Sequence, residues 1–171
     1  MQDRGDIFLG NTPAKERAFL GAVLKAARSS YTKLVVPCAG KFAGIETAVA
    51  AGWSPSQIEA SDVSLFSAVV SSHLNGSPPI SSLRIVGQDT LAHLDLGDAP
   101  TILYALKLAT LRHKAKTYYD SLLVQDLERR PQEHISALRA SLDGLKTSIG
   151  GFRYQSLDML AQLDLILSEP S

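Results

Sequence analysis

The sequence predicts an α/β protein, a partial doubly wound parallel sheet interrupted by a helical insertion. Three observations carry this reading. Leu34-Val35-Val36 is a short apolar run that breaks at once into Pro37-Cys38-Ala39-Gly40 and then into a helical pattern. That is the form of a buried parallel strand entering a tight turn and a helix. Ile58-Glu59-Ala60-Ser61-Asp62 reads as a second strand ending in a carboxylate. It ends about 20 residues past the turn, the separation at which an acidic residue in a βαβ nucleotide fold accepts hydrogen bonds from a ribose. After a long helical stretch, Phe152 to Asp158 resembles a return to the sheet, again ending in a carboxylate.

The elements follow in order. Thr12 is placed to cap a first helix with Pro13 at its first position, and Phe19, Leu20, Val23, Leu24 and Ala27 share a face that is expected to pack on the sheet. Leu34–Val36 is expected to be a central strand beside Ile58–Ser61, with Val35 and Val36 buried. A helix from Phe42 to Ala51 is closed by Gly52. Ser64 to Leu74 forms another, burying Leu65, Phe66, Val69 and Val70, and Asn75-Gly76-Ser77-Pro78-Pro79 stops it. Residues 81–97 read equally as strand or helix around Leu83-Arg84-Ile85-Val86. Thr101 to Arg130 reads as one long helix, Pro131 as punctuation, and Gln132 to Thr147 as a second helix, together a hairpin. Met159 to Leu167 is helical. The divisions are 1–80 for an α/β core, 81–149 for the helical insertion and 150–171 for the return to the core.

At 171 residues the chain is long enough to bury a core. Lys plus Arg and Asp plus Glu each total 17, so no global field attracts nucleic acid or an anionic membrane, and any polyanion site must be local. No apolar run approaches the ~20 residues of a membrane span. The polar N-terminus lacks the layout of a signal peptide. The single cysteine, Cys38, excludes an internal disulfide framework and fits a reducing compartment. The expectation is a cytoplasmic protein.

Chemistry-bearing residues are few. Cys38 lies in the turn without a predicted base nearby, and a free cysteine also serves as a small buried hydrophobe. His73, His93, His113 and His134 form no metal-ligand spacing. Lys107, Arg112, His113, Lys114 and Lys116, followed by Tyr118 and Tyr119, read in two ways. One is phosphate contact with aromatic stacking on nucleic acid. The other is a solvated helix face whose lysines pair with Asp120 or Asp126 while the tyrosines enter the core, and the neutral total charge favours it. Phe8 to Lys15 reads either as a segment lying across a ligand or as an ordinary cap.

These pieces, in this order, resemble the S-adenosylmethionine-dependent DNA adenine methyltransferases of the Dam type, and more closely the antirestriction adenine methyltransferases of actinobacterial phages. Pro37-Cys38-Ala39-Gly40 stands where that family has a Pro-Phe-x-Gly-type turn, and Asp62-Val63-Ser64 where it has Asp-Ile-Asn. The resemblance implies a Rossmann-like methyltransferase sheet. It places Pro37, Cys38, Ala39 and Gly40 by the methionine part of S-adenosylmethionine, Asp62 on the ribose, Asp158 near the adenine, and Lys15 in the segment that closes the cofactor site. It implies DNA as a partner, with Lys107, Arg112, Lys114 and Lys116 the candidate contacts. Two departures stand out. Phe42 occupies the place of the second turn glycine. The family's Asp/Asn-Pro-Pro-Tyr-type motif, due one helix and one strand after Asp158, is missing, so no catalytic residue is assigned. The leading reading is the cofactor-binding half of a methyltransferase, the missing motif implying a truncated chain, completion by a second chain or an inactive relative. The alternative is a non-catalytic anti-defence protein that binds a host defence factor. A third reading, a nicotinamide-type dinucleotide enzyme, is disfavoured by the incomplete glycine pattern. No metal and no membrane partner are expected.

Overall fold

Strand β1 (Leu34–Val36) pairs in parallel with β2 (Ile58–Ser61), which pairs in parallel with β3 (Arg153–Gln155). The computed structural model to which they belong describes residues 13–83 and 97–168. Among these residues the chain is an α/β protein, mostly helical, with seven α-helices and one three-stranded sheet in the order β1-β2-β3. The second strand, not the first, is therefore the middle one. β1 lies at an edge of the described sheet, and Val35 and Val36 are half-buried, contrary to the expectation of a buried central strand.

Registration explains why one face is dry and the other is not. Val36, Ala60 and Tyr154 stand side by side, and α2 (Ala43–Ala50) comes down on Val36 at Gly44, where a Cβ would lie 3.4 Å from a Val36 methyl. The neighbouring row is Val35, Glu59 and Arg153. It is polar, with Glu59 held by Lys33 at 2.9 Å and by Arg153 at 3.1 Å.

Helix α1 (Ala14–Ala27) begins one residue later than expected, with Pro13 at the cap position, and Thr12 lies outside the described residues. It runs alongside α2 rather than over the sheet. The Trp53 indole donates to the Leu24 carbonyl at 2.9 Å, and a Cβ on Gly21 would sit 3.5 Å from the Thr47 methyl. Only Leu24 is buried, with Leu20 and Ala27 partly so, whereas Phe19 and Val23 are 73% and 47% exposed. The five-residue face is thus narrower than its period suggested, because a neighbouring helix offers a groove where a sheet offers a plane.

Helix α3 (Leu65–Asn75) is capped by Ser64, whose hydroxyl accepts from the Ser67 amide, and Gly76 ends it at φ 71°. It buries Val69, Val70 and Leu74, while Leu65 and Phe66 are partly buried. Of the segment 81–97 that reads as strand or helix, residues 84–96 lie outside the described residues, and a short 3-10 turn spans Ile80–Ser82.

The single long helix expected from Thr101 to Arg130 is instead two, α4 (Ala99–Lys114) and α5 (Tyr118–Arg129). Thr117 and Asp120 form a reciprocal capping box, in which the Thr117 hydroxyl accepts the Asp120 amide at 3.1 Å and Asp120 accepts the Thr117 amide at 3.0 Å. The break lets α5 fold back. Tyr104, Ala105 and Leu108 of α4 then meet Leu127 of α5 and Ile135 of α6 (Pro131–Ile149) in a second apolar cluster, and the Tyr104 hydroxyl donates to the Leu127 carbonyl at 3.1 Å. Ile102 and Leu103 of α4, with Leu142, Leu145 and Ile149 of α6, enter the main core, so the insertion shares the core of the sheet region. Helix α7 (Met159–Ser168) follows β3.

Candidate functional site

The ends of β1 and β2 are tied to each other. After β1 the backbone turns through two left-handed residues, Cys38 (φ 56°) and Gly40 (φ 51°), before Phe42 (φ 64°) starts α2. Asp62, just past β2, accepts the Gly40 amide on one carboxylate oxygen at 2.8 Å and the Ser64 amide on the other at 2.7 Å. The Ala39 amide donates to the Ser61 carbonyl at 2.9 Å, and the Ser67 hydroxyl donates to the Gly40 carbonyl at 3.0 Å. The third strand joins in, because the Tyr154 hydroxyl donates to the Asp62 carbonyl at 2.9 Å. Burial, reinforced by the nearby Asp62 charge and only partly offset by Ser156, pushes the Tyr154 phenol up to about 12, so it remains a donor at neutral pH.

Three amides of the turn are bonded within the chain. The Ala39, Gly40 and Phe42 amides are all spent on internal acceptors, the last on the Ala39 carbonyl at 2.8 Å. Asp62 differs, because each carboxylate oxygen carries two lone pairs and the observed bonds use one apiece. The carboxylate is thus a fixed acceptor with lone pairs to spare.

Phe42 explains the missing glycine. Its ring is fully buried and packs against Phe152 at 5.4 Å and Tyr154 at 6.2 Å between centroids. The position that seemed to call for a small residue instead sends a plug inward, and burial offsets the cost of a left-handed aromatic residue.

Pro37 is half-buried, Ala39 buried and Cys38 exposed, so Cys38 is not the small core residue that one reading allowed. Lys15 is exposed in the first turn of α1. Because α1 runs parallel to α2, as the Gly21–Thr47 and Leu24–Trp53 contacts require, Lys15 lies at the same end of the sheet as Gly40. Asp158 is not at the strand end itself but three residues beyond β3. It is exposed, and it caps α7 by accepting the Ala161 amide at 2.8 Å.

The basic stretch takes a different form from the one the neutral charge favoured. Lys114 and Lys116 are exposed, Lys107 is half-buried, and the structure gives them no carboxylate partner among the described residues. Asp120 is occupied by the Thr117 cap and Asp126 by Arg130 and His134. Arg112 is committed to Glu128 at 2.6 Å. Tyr118 and Tyr119 are 80% and 68% exposed rather than core residues, a consequence of the helix break that sequence periodicity did not disclose.

Among the described residues no cluster of three or more metal-ligating side chains occurs, and no helix is long and apolar enough to cross a membrane. Neither a curated protein nor a solved structure matches the chain. A model of the phage DNA adenine methylase-like domain 1 family matches residues 8–170, nearly the whole chain. A match of that extent places the family beyond its local motifs, and this chain belongs to the phage DNA adenine methylase-like domain 1 family.

Proposed function

We propose that the chain is the S-adenosylmethionine-binding part of a phage antirestriction system for DNA adenine methylation, acting in the host cytoplasm, and that its sheet is half of a Rossmann-like methyltransferase fold. The observation that carries the reading is the Asp62–Gly40 bond, which joins two successive parallel strand ends at 2.8 Å. Open α/β sheets bind their ligands outside such ends.

Asp62 takes the ribose hydroxyls on its unused lone pairs. Pro37, Cys38, Ala39 and Gly40 border the methionine part, Asp158 the adenine, and Lys15 closes the site from α1. The bound cofactor supplies an electrophilic methyl group, and these residues supply position and orientation. Lys107, Lys114 and Lys116, with Tyr118 and Tyr119, face DNA, with Arg112 a weaker contributor because Glu128 holds it.

No residue here is assigned to hold a flipped adenine. The chain's own proline pair, Pro78-Pro79, follows the far end of α3, about 16 Å of helix away from Ser64 and Asp62. The chain alone is therefore expected not to methylate DNA. The test is calorimetry with S-adenosylmethionine for the wild type and Asp62→Asn, beside labelled methyl transfer to duplex DNA. Binding that weakens in the variant supports the reading, equal affinity removes Asp62 from the site, and robust methylation overturns the assignment of a partial enzyme. The second reading, a non-catalytic anti-defence protein, draws support from the exposed apolar residues of α7, and absence of cofactor binding favours it.

A further inference from the structure

We infer that Lys41 recognises the carboxylate at the methionine end of S-adenosylmethionine and so selects for ligands that carry that group. This rests on the cofactor reading proposed above. It adds a residue to that reading, because Lys41 is assigned from its place in the fold.

Lys41 stands between two fixed neighbours. The Gly40 amide is held by Asp62 at 2.8 Å, and the Phe42 ring is fully buried against Phe152 and Tyr154. The Lys41 side chain is half-buried and has no carboxylate partner among the described residues. A held backbone therefore sets a cation beside the carboxyl ends of β1 and β2, the side of an open α/β sheet on which ligands bind.

The position is a poor one for stability. Lys41 immediately precedes Phe42, the N-cap of α2, and a positive charge there opposes the helix dipole. Asp62 does not offset it, since its two oxygens take the Gly40 and Ser64 amides. A charge that works against its own helix and pairs with nothing described in the fold points to an anion from outside.

A second observation falls at the same strand end. Ser61, the last residue of β2, is fully buried, and its hydroxyl has no partner among the described residues. Its carbonyl, by contrast, takes the Ala39 amide of the turn at 2.9 Å. Buried polar groups are rarely left unpaired unless a function or an absent partner accounts for them.

The charges of the ligand decide which of its groups Lys41 meets. S-adenosylmethionine carries a sulfonium, an ammonium and one carboxylate. Lys41 repels the first two and attracts the third. Two anchors of opposite sign, Asp62 bonded to Gly40 and Lys41 next to Gly40 in the chain, then fix which end of the ligand goes where.

The test is calorimetry on the full chain with S-adenosylmethionine and with its decarboxylated form, which keeps the ribose, the sulfonium and the ammonium. The wild type is expected to prefer the carboxylate form by about tenfold or more, the worth of a hydrogen bond between charged groups. Lys41→Gln keeps a polar side chain without the charge. It is expected to lose about tenfold for S-adenosylmethionine and nothing for the decarboxylated form, while Lys41→Arg retains most of the preference. Urea denaturation of Lys41→Gln should show a midpoint no lower than the wild type's, because an unfavourable helix charge has gone. A fallen midpoint would show that Lys41 serves the fold instead. A variant that keeps the preference, or weakens on both ligands alike, overturns the role of Lys41 and leaves the cofactor reading standing. A wild type that binds neither ligand overturns the cofactor reading, and the role of Lys41 with it.

Discussion

Asp62 accepts the Gly40 amide at 2.8 Å across 22 residues of sequence, and its second oxygen accepts the Ser64 amide at 2.7 Å. One carboxylate thus sets the turn after β1 and the start of α3 at once. The residue expected to hold a ribose is also a brace, and the brace makes it a preorganised acceptor.

Asp62→Ala is therefore expected to affect both stability and binding. It leaves two part-buried backbone donors without their charged acceptor and should cost about 2 kcal/mol or more of unfolding free energy. Affinity for S-adenosylmethionine should fall by roughly 1.5–3 kcal/mol, the range for a hydrogen bond to a charged group. Urea denaturation and calorimetry read the two effects separately, and an unchanged denaturation midpoint would show that the brace is energetically idle.

Phe42→Gly places the residue best suited to a left-handed backbone at this position but should destabilise the protein. Truncating a buried Phe costs about 3–5 kcal/mol, and relief of the left-handed backbone returns roughly 1–2 kcal/mol. A net loss of about 1–4 kcal/mol is expected from these two ranges, read as a drop in denaturation midpoint. A more stable variant would mean that the Phe42 contacts with Phe152 and Tyr154 contribute little.

The turn between α4 and α5 is expected to contact DNA phosphates. Lys114→Glu with Lys116→Glu should weaken duplex binding and lower the salt slope of log K by about 2, at ~0.9 per phosphate contact. Fluorescence anisotropy at several salt concentrations measures both. A slope equal to the wild type's would return these lysines to an ordinary solvated surface.

Stability should fall at both ends of the pH scale. Burial works to raise the carboxyls of Glu59 and Asp98, but it is outweighed by Lys33 and Arg153 at the first and by Thr101 and Arg139 at the second, so both sit below their usual 4.5 and 3.8. Groups depressed in this way stabilise the fold fully above the unfolded values and lose that contribution as pH falls through the folded ones. Tyr154 acts in the opposite sense. With its phenol at about 12 against a usual 10, its contribution is present below 10 and is lost as pH rises toward 12. Denaturation midpoints across pH check this, with Glu59→Gln expected to flatten the acid limb and Tyr154→Phe the alkaline one.

Much of this molecule was legible in residue order. The strands at 34–36 and 58–61, the helix closed by Gly52, the helix that follows Asp62 and the pairing of a small-residue turn with Asp62 all follow from short-range rules. Periodicity, capping and turn chemistry act over a few residues, and those residues are adjacent in the chain. Tertiary structure decided what no local rule reaches. It put β2 rather than β1 in the middle of the described sheet, because strand order depends on which edges meet across long connections. It broke the expected long helix at Thr117 and turned Tyr118 and Tyr119 outward, because folding α5 back buries Leu127 against Tyr104 and Leu108. It drew Phe42 inward, where the partners that stabilise it, Phe152 and Tyr154, lie more than a hundred residues away.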